Sequence, residues 1–273
     1  ASHGDTKHVL LLPEDPKECF DHAALALDLA DRLQTPVFVL TDLDIGMNQR
    51  LCEPLEWSDE RKYDRGKVMS AGELEMGREF ARYKDVDGDG IPWRTLPATH
   101  ESKGAYFTRG TTRDPYARYS EAGPDYVYNV KRLLQKFDTA RSLVPAPVLH
   151  KAPRKTRLGA IYFGSTAPSM DEAIDLLIGG GIPLDSMRLR AFPFPDEVSA
   201  FIDAHEEVFI VEQNRDGQMR NMLVTELEID PDWLIGIQHY DGTPITARFI
   251  TDSITTHVHA LAVAPRRDRI HHD

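Results

Sequence analysis

The second half of the chain alternates between short apolar runs and amphipathic segments, and this pattern constrains the possible folds more than any other feature. Four apolar runs predict strands, at 158–163, 187–192, 208–212 and 234–238. Helical patterns of roughly 10 to 15 residues lie between and after them. Parallel strands need crossover connections, so this alternation predicts a doubly wound sheet covered by helices over 155–260.

The first sixty residues predict a strand–helix–strand unit. Residues 9–12 and 37–40 are entirely apolar, as in parallel strands buried on both faces. Asp15 is a suitable N-cap for the helix between them, with Pro16 at the first helical position and Glu18 three residues after the cap.

Asp42 and Asp44 follow the second of these strands. Ligands bind beyond the carboxyl ends of strands in open α/β sheets, which makes both carboxylates candidates for a binding site. A helix cap and a loop charge explain the same two residues equally well.

Residues 46–144 lack regular periodicity and are rich in Tyr and Arg, which predicts a long extension of the first domain. Extensions of this length are usually functional or form interfaces. A helical pattern returns over 125–143, with an apolar stripe that includes Val127 and Leu134. Three prolines and a basic run then predict a linker over 144–155, which divides the chain into domains 1–144 and 155–260.

Composition excludes several classes of protein. Lys and Arg total 32 against 44 Asp and Glu, and a net charge of −12 disfavours nucleic acid as a partner. No apolar run reaches the ~20 residues of a membrane helix, so no membrane association is expected. The two cysteines, Cys19 and Cys52, are too few for a structural zinc site or an iron–sulfur cluster. Two free thiols favour a reducing, cytoplasmic location.

The segment 85–91 follows the first half of a calcium-binding loop. Asp85, Asp87 and Asp89 supply carboxylates on alternate residues, and the carbonyl of Ile91 takes the seventh position. The twelfth position, where a bidentate Glu belongs, is Leu96. The segment predicts a Ca²⁺ or Mg²⁺ site completed by waters or a distant carboxylate, and the alternative is an Asp/Gly-rich turn that binds no ion.

Three other motifs are weaker. The stretch 88–90 resembles the start of a thiamine-diphosphate motif, but the next asparagine, Asn129, is too distant to complete it. Residues 164–166 are suited either to anion binding or to capping a helix. Residues 103–110 could grip an anionic substrate or a partner chain, or form a solvated loop. No nucleophile–base pair is defined, so the catalytic residues stay unknown.

Seven segments, in this order, carry a resemblance to one family. They are 3–8 (HGDTKH), 33–48 (LQTPVFVLTDLDIGMN), 85–92 (DVDGDGIP), 103–110 (KGAYFTRG), 162–166 (YFGST), 211–216 (VEQNRD) and 240–246 (YDGTPIT). The combination resembles the α subunit of 2-oxoacid:ferredoxin oxidoreductases, most closely the 2-oxoglutarate type.

The resemblance implies an α/β fold: part of a pyrimidine-type thiamine domain with a long extension, then a doubly wound transketolase C-terminal-like domain. It implies oxidative decarboxylation of a 2-oxoacid to an acyl-CoA, with electrons passing to ferredoxin. Thiamine diphosphate with Mg²⁺ and a [4Fe–4S] cluster would reside on a β subunit. The implied partners are that β subunit, the rest of the α subunit, ferredoxin, CoA and the 2-oxoacid.

Two loops are implied to lie near the cofactor cleft. The first contains His3, Gly4, Asp5 and Thr6, and the second contains Asp42 and Asp44. The family's substrate loops and its thiamine-activating Glu have no counterpart in this sequence, so the chain is expected to be a C-terminal portion that is inactive alone. A non-catalytic assembly module that binds a partner subunit is the alternative.

Overall fold

The computed structural model describes residues 7–263 of the 273-residue chain. These residues form two compact units, each assembled from separate chain segments. Within the described residues, unit 1 comprises 7–10, 23–38 and 56–144, and unit 2 comprises 11–22, 39–55 and 145–263. The predicted domains 1–144 and 155–260 follow chain order and stay a prediction.

Helices and strands account for most of the chain outside residues 48–122. In chain order the elements are β1 (Val9–Leu11), α1 (Pro16–Leu33), β2 (Val37–Val39), α2 (Leu43–Met47), α3 (Ala71–Glu75), α4 (Gly123–Ala140), β3 (Val148–His150), β4 (Leu158–Phe163), α5 (Ala167–Gly179), β5 (Asp185–Leu189), β6 (Ala191–Phe192), α6 (Asp196–Asp203), β7 (Glu207–Glu212), α7 (Gln218–Leu227), β8 (Leu234–Gln238) and α8 (Ala247–Val263). Short 3-10 turns precede α5 and β8. No helix within residues 7–263 is long and apolar enough to cross a membrane.

Unit 2 contains a five-stranded sheet of order β3-β5-β4-β7-β8. The pairs β4/β5, β4/β7 and β7/β8 are parallel, so β4 lies at the centre with its chain neighbours on both sides. Ala160 and Tyr162 of β4 belong to a buried core shared with α5 and α8. On the other face, a Cβ on Gly159 would lie 2.9 Å from Cε1 of Phe201 in α6. Helices therefore cover both faces, as predicted.

The predicted linker is wrong for residues 148–150. They form β3, an antiparallel edge strand in which Leu149 lies opposite Met187 of β5. The basic run is also held in place, because the carboxylate of Asp185 accepts hydrogen bonds from Lys151 Nζ at 2.7 Å and from the Ala152 N–H at 2.8 Å. An edge strand tolerates flanking prolines because only one side of it is hydrogen-bonded.

The predicted strands at 37–40 and 187–192 need correction. β2 is an edge strand beside β1, and Phe38 and Leu40 are exposed rather than buried. The run 187–192 divides at Arg190, whose carbonyl accepts a hydrogen bond from the Leu12 N–H at 2.8 Å. The residues before this point belong to β5 and those after it to β6, which lie in different sheets.

Helix α4 is confirmed, but its buried face differs from the predicted apolar stripe. Val127 and Leu134 are each half exposed, whereas Arg132, Lys136 and Phe137 are buried. Periodicity alone therefore placed the helix correctly and assigned part of the wrong face to the interior.

Candidate functional site

The carboxyl ends of β4 and β7 carry a chain of hydrogen-bonded polar side chains. Ser165, directly after β4, donates its hydroxyl to the carboxylate of Asp42. Gln213, directly after β7, donates Nε2 to Ser165 Oγ at 2.9 Å and to Thr166 Oγ1 at 3.2 Å. The chain runs from β4 to β5 on one side and later returns to β7 on the other side of β4, so the carboxyl ends of β4 and β7 flank the topological switch point where open α/β sheets bind ligands.

Asp42 both caps a helix and contacts this edge. Its Oδ1 accepts the Ile45 N–H at 2.9 Å as the N-cap of α2, while Oδ2 contacts Ser165. Asp44 is committed elsewhere, because its carboxylate pairs with Arg50 Nη2 at 3.4 Å. The structure thus brings Asp42, but not the Asp44 carboxylate, into the polar chain. The other predicted cleft residues, His3, Gly4, Asp5 and Thr6, lie outside the described residues.

The Asp85–Asp89 carboxylates converge as the sequence predicted. One oxygen from each of Asp85, Asp87 and Asp89 lies within 4.8 Å of the others. The ammonium of Lys67 lies among these groups, 2.5 Å from Asp87 Oδ1, 2.7 Å from Asp89 Oδ1 and 2.9 Å from the Ile91 carbonyl. A protein cation therefore contacts three of the four predicted ligands. Whether a metal ion binds there stays a prediction.

A buried carboxylate at the end of β7 escaped the sequence reasoning. Glu212 is fully buried, and its side chain accepts hydrogen bonds from the N–H of Met219 at 2.8 Å and of Arg220 at 3.2 Å. These amides belong to the first turn of α7, whose partial positive charge stabilises the carboxylate. Glu212 therefore orients the loop that carries Gln213.

In unit 2, a second group of charged side chains links β5 to α1. It joins Arg188 of β5 to one glutamate just before α1 and to another in the first turn of α1. Arg188 donates Nη1 to Glu18 Oε2 at 2.8 Å and pairs with Glu14 Oε1 at 2.9 Å through Nη2. Burial acts to raise the pKa of Glu18, but hydrogen bonds from Arg188 outweigh it and hold that pKa below its ordinary value. Burial raises the pKa of Glu14, which Arg188 only partly offsets. These charges stabilise each other away from solvent.

The chain is similar in sequence to one group of proteins. No family model matches the chain. Over 252 residues it is 28% identical to the 2-oxoacid:ferredoxin oxidoreductase 2 subunit alpha of Aeropyrum pernix, a match covering 90% of this chain and 37% of that protein. Over 223 residues it is 27% identical to the 2-oxoglutarate synthase subunit KorA of Methanothermobacter thermautotrophicus, covering 80% and 55% respectively. The chain is related to 2-oxoacid:ferredoxin oxidoreductase α subunits.

This relationship confirms the resemblance predicted from the seven segments. The chain spans between about a third and just over half of the length of these α-subunit relatives. A solved 2-oxoglutarate:ferredoxin oxidoreductase from Magnetococcus marinus, described with 2-oxoglutarate, coenzyme A and succinyl-CoA bound, has a TM-score of 0.80. The match covers 94% of this chain and 43% of that one at 20% identity, and it confirms the predicted fold class.

Sequence reasoning missed three residues around these sites: Lys67, Gln213 and Glu212. Gln213 and Glu212 lay within a segment that carried the family resemblance, yet no spacing rule pointed to their partners. Lys67 precedes Asp85 by 18 residues in an irregular segment, so nothing local in the sequence signalled its approach. Directly after a predicted strand in an α/β sheet, a polar pair such as Glu212-Gln213 is the signal that could have been used.

Proposed function

We propose that this chain forms part of the α subunit of a thiamine-diphosphate-dependent 2-oxoglutarate:ferredoxin oxidoreductase. The reaction is oxidative decarboxylation of the 2-oxoacid to an acyl-CoA, with electrons passing to ferredoxin. The similarity to α subunits along 80–90% of the chain carries the proposal. The polar chain from Asp42 through Ser165 to Gln213 is the part of the described structure best placed to border a cleft.

The described residues do not complete a site for either cofactor. Cys19 and Cys52 are free thiols, and two cysteines cannot ligate a four-cysteine [4Fe–4S] cluster. The Gly88–Gly90 stretch packs against α4, since a Cβ on Gly90 would lie 2.4 Å from the Lys136 nitrogen. It is therefore occupied by protein rather than open to a diphosphate. Thiamine diphosphate with its Mg²⁺ and the cluster are proposed to reside on a β subunit, with this chain as its heterodimer partner.

The two free cysteines also support a proposal about the cellular compartment. Because Cys19 and Cys52 are both free, a reducing compartment suits the chain, and we place it in the cytoplasm. Because the net charge of the chain is −12, we do not propose nucleic acid as a partner.

The proposal predicts a role for the Asp42 carboxylate in the assembled oxidoreductase. Asp42→Asn keeps the helix cap, because Asn caps as well as Asp, but removes the negative charge from the switch point. We expect kcat/KM for 2-oxoglutarate-dependent ferredoxin reduction to fall by about 10-fold or more. The measurement is steady-state turnover of the complex formed with the β subunit and the rest of the α subunit.

A matched control separates catalysis from folding. Asp230→Asn alters another N-cap, which accepts the Asp232 N–H at 3.0 Å just before the amino end of β8, and it should leave turnover unchanged. Equal turnover in the two variants would contradict a role for Asp42 in the cleft.

A non-catalytic assembly module is the second candidate. Leu43, Met47 and Leu51 of unit 2 expose most of their apolar surface, as residues that bind a partner subunit do. In the same experiment, Asp42→Asn would then leave turnover intact, and the chain would matter only for the yield of complex.

The loop around Asp85 is proposed to bind one hard divalent cation, Ca²⁺ or Mg²⁺, in competition with Lys67. Calorimetry should show weak millimolar binding to the unmodified chain and at least about 10-fold tighter binding to Lys67→Gln, since a competing positive charge is removed. Adding Asp87→Asn to that variant should weaken binding again. Absence of binding by both the unmodified chain and Lys67→Gln at millimolar metal would sink the proposal.

A further inference from the structure

Three guanidinium groups of unit 1 gather around one aromatic ring, and a lysine lies one helical turn from one of them. The guanidinium carbons of Arg82 and Arg113 each lie 5.1 Å from the centroid of the Tyr83 ring, and that of Arg132 lies 5.8 Å away. Lys136 follows Arg132 by one turn of α4, on the same face of the helix. We call Arg82, Arg113, Arg132 and Lys136 the cation cluster.

Two members of the cation cluster are buried, and within the described part of the chain no carboxylate forms an ion pair with any of the four. Lys136 is only 5% exposed and Arg132 only 9%. Among residues 7–263 none of the four makes an ion pair, and the Lys136 ammonium has no hydrogen-bond acceptor. The Nε atoms of Arg82 and Arg132 are likewise buried without acceptors. Burying charge in this way is costly unless something neutralises it.

Nearby acceptors are already engaged. The Asp85 carboxylate accepts the N–H groups of Gly88 at 3.0 Å and Gly90 at 2.9 Å, so it is committed to its own loop. The Tyr83 hydroxyl contacts Arg113 Nη1 at 3.3 Å. Burial, together with repulsion from Arg132 and Arg82, lowers the pKa of Lys136 to about 8. A lysine whose pKa is lowered partly by neighbouring guanidinium groups lies in a region of positive potential.

Arg132 is also held in place by the loop that packs against α4. Arg132 Nη1 donates to the Gly90 carbonyl at 3.0 Å, and Thr139 of the same helix donates to the Asp89 carbonyl at 2.8 Å. Gly90 has a positive φ of 76° and approaches the α4 backbone so closely that no side chain would fit. The loop and the helix thus fix Arg132 before any ligand arrives, which lowers the entropic cost of binding to it.

We propose that the cation cluster is a binding site for a small dianion of phosphate or dicarboxylate type. Guanidinium groups bind oxyanions through paired N–H donors, and the ammonium adds a point charge. The free donors of Arg82, Arg132 and Lys136 supply this combination. The ligand would reach them past Arg82 and Arg113, which are partly exposed.

The test measures anion binding to the whole chain by calorimetry and by thermal unfolding, with inorganic phosphate, malonate and, at matched ionic strength, KCl. We expect phosphate or malonate to bind with a millimolar or tighter Kd and to raise Tm, while KCl has little effect. A larger shift with phosphate assigns a phosphate-type ligand and a larger shift with malonate assigns a dicarboxylate, and both support the site. Equal effects of all three salts would overturn it.

Variants identify the donors. Lys136→Met should weaken binding of the preferred dianion at least 10-fold while keeping or raising Tm in its absence, because an unpaired buried charge is gone. Lys131→Met, at an exposed position on the same helix, should behave like the unmodified chain. Arg82→Gln, at a half-buried position, should also weaken binding of the preferred dianion and tests the site independently. Full retention of binding in both Lys136→Met and Arg82→Gln would overturn the proposal.

Discussion

Replacing Arg188 by methionine is expected to lower the free energy of unfolding by about 3–5 kcal/mol. Arg188 is only 5% exposed and contacts both oxygens of Glu18, at 2.8 and 3.1 Å, besides Glu14. Its removal leaves the Glu14 carboxylate without its counter-charge and leaves Glu18 with Arg190, whose Nε lies 2.9 Å from Glu18 Oε1, so part of the desolvation cost of the two carboxylates is no longer offset. Denaturant unfolding at neutral pH measures the change.

Two further variants show whether charge or packing causes the loss. Arg157→Met breaks a surface pair with Glu206, in which both side chains are about half exposed, and should cost less than about 1 kcal/mol. Adding Glu14→Gln to Arg188→Met should recover part of the stability, because the carboxylate of Glu14 pairs with Arg188 and its orphaned charge disappears. Similar losses for Arg157→Met and Arg188→Met would contradict the argument.

The same ion pair predicts a pH dependence. The pKa of Glu18 is lower in the folded chain than in the unfolded chain, so the unfolded state binds more protons as pH falls through this range. The pair's contribution is therefore complete above the ordinary Glu pKa and is lost as pH falls through the lowered value. In Arg188→Met this acid-side loss of stability should be smaller.

Stability is also expected to rise on the alkaline side, because of Lys136. Its pKa is about 8 in the folded chain against 10.5 for an unperturbed lysine. Between these values the unfolded state holds the extra proton, so the free energy of unfolding increases with pH. The penalty for burying the charge is complete below pH 8 and absent above about 10.5, a difference of about 3 kcal/mol.

The difference between the unmodified chain and Lys136→Met isolates this effect. Unfolding free energies of both proteins, measured from pH 7 to 10.5 in buffer without multivalent anions, should converge as pH rises. Other titrating groups cancel in the comparison, and Lys131→Met should give a flat difference. A flat difference for Lys136→Met as well would mean that the buried ammonium already has a counter-charge.

Part of the candidate site could be predicted from the sequence. The position of Asp42 after a strand and the alternating carboxylates at 85–89 are local patterns, and both residue groups lie where such patterns place them. Lys67 could not be predicted, because its approach to Asp87 and Asp89 depends on the path of an irregular segment. The sequence therefore predicts the possible metal ligands of this loop, but it does not predict that a lysine ammonium contacts them.

What the sequence alone determined is the order and type of most elements, and what only the tertiary structure decided is which faces are covered. The β/α alternation and helix α4 follow from side-chain periodicity and local caps, which act over a few residues. The burial of Arg132 and Lys136 and the exposure of Val127 depend on packing between segments far apart in the chain. Because burial depends on that packing, only the tertiary structure shows that these two cations of unit 1 are buried.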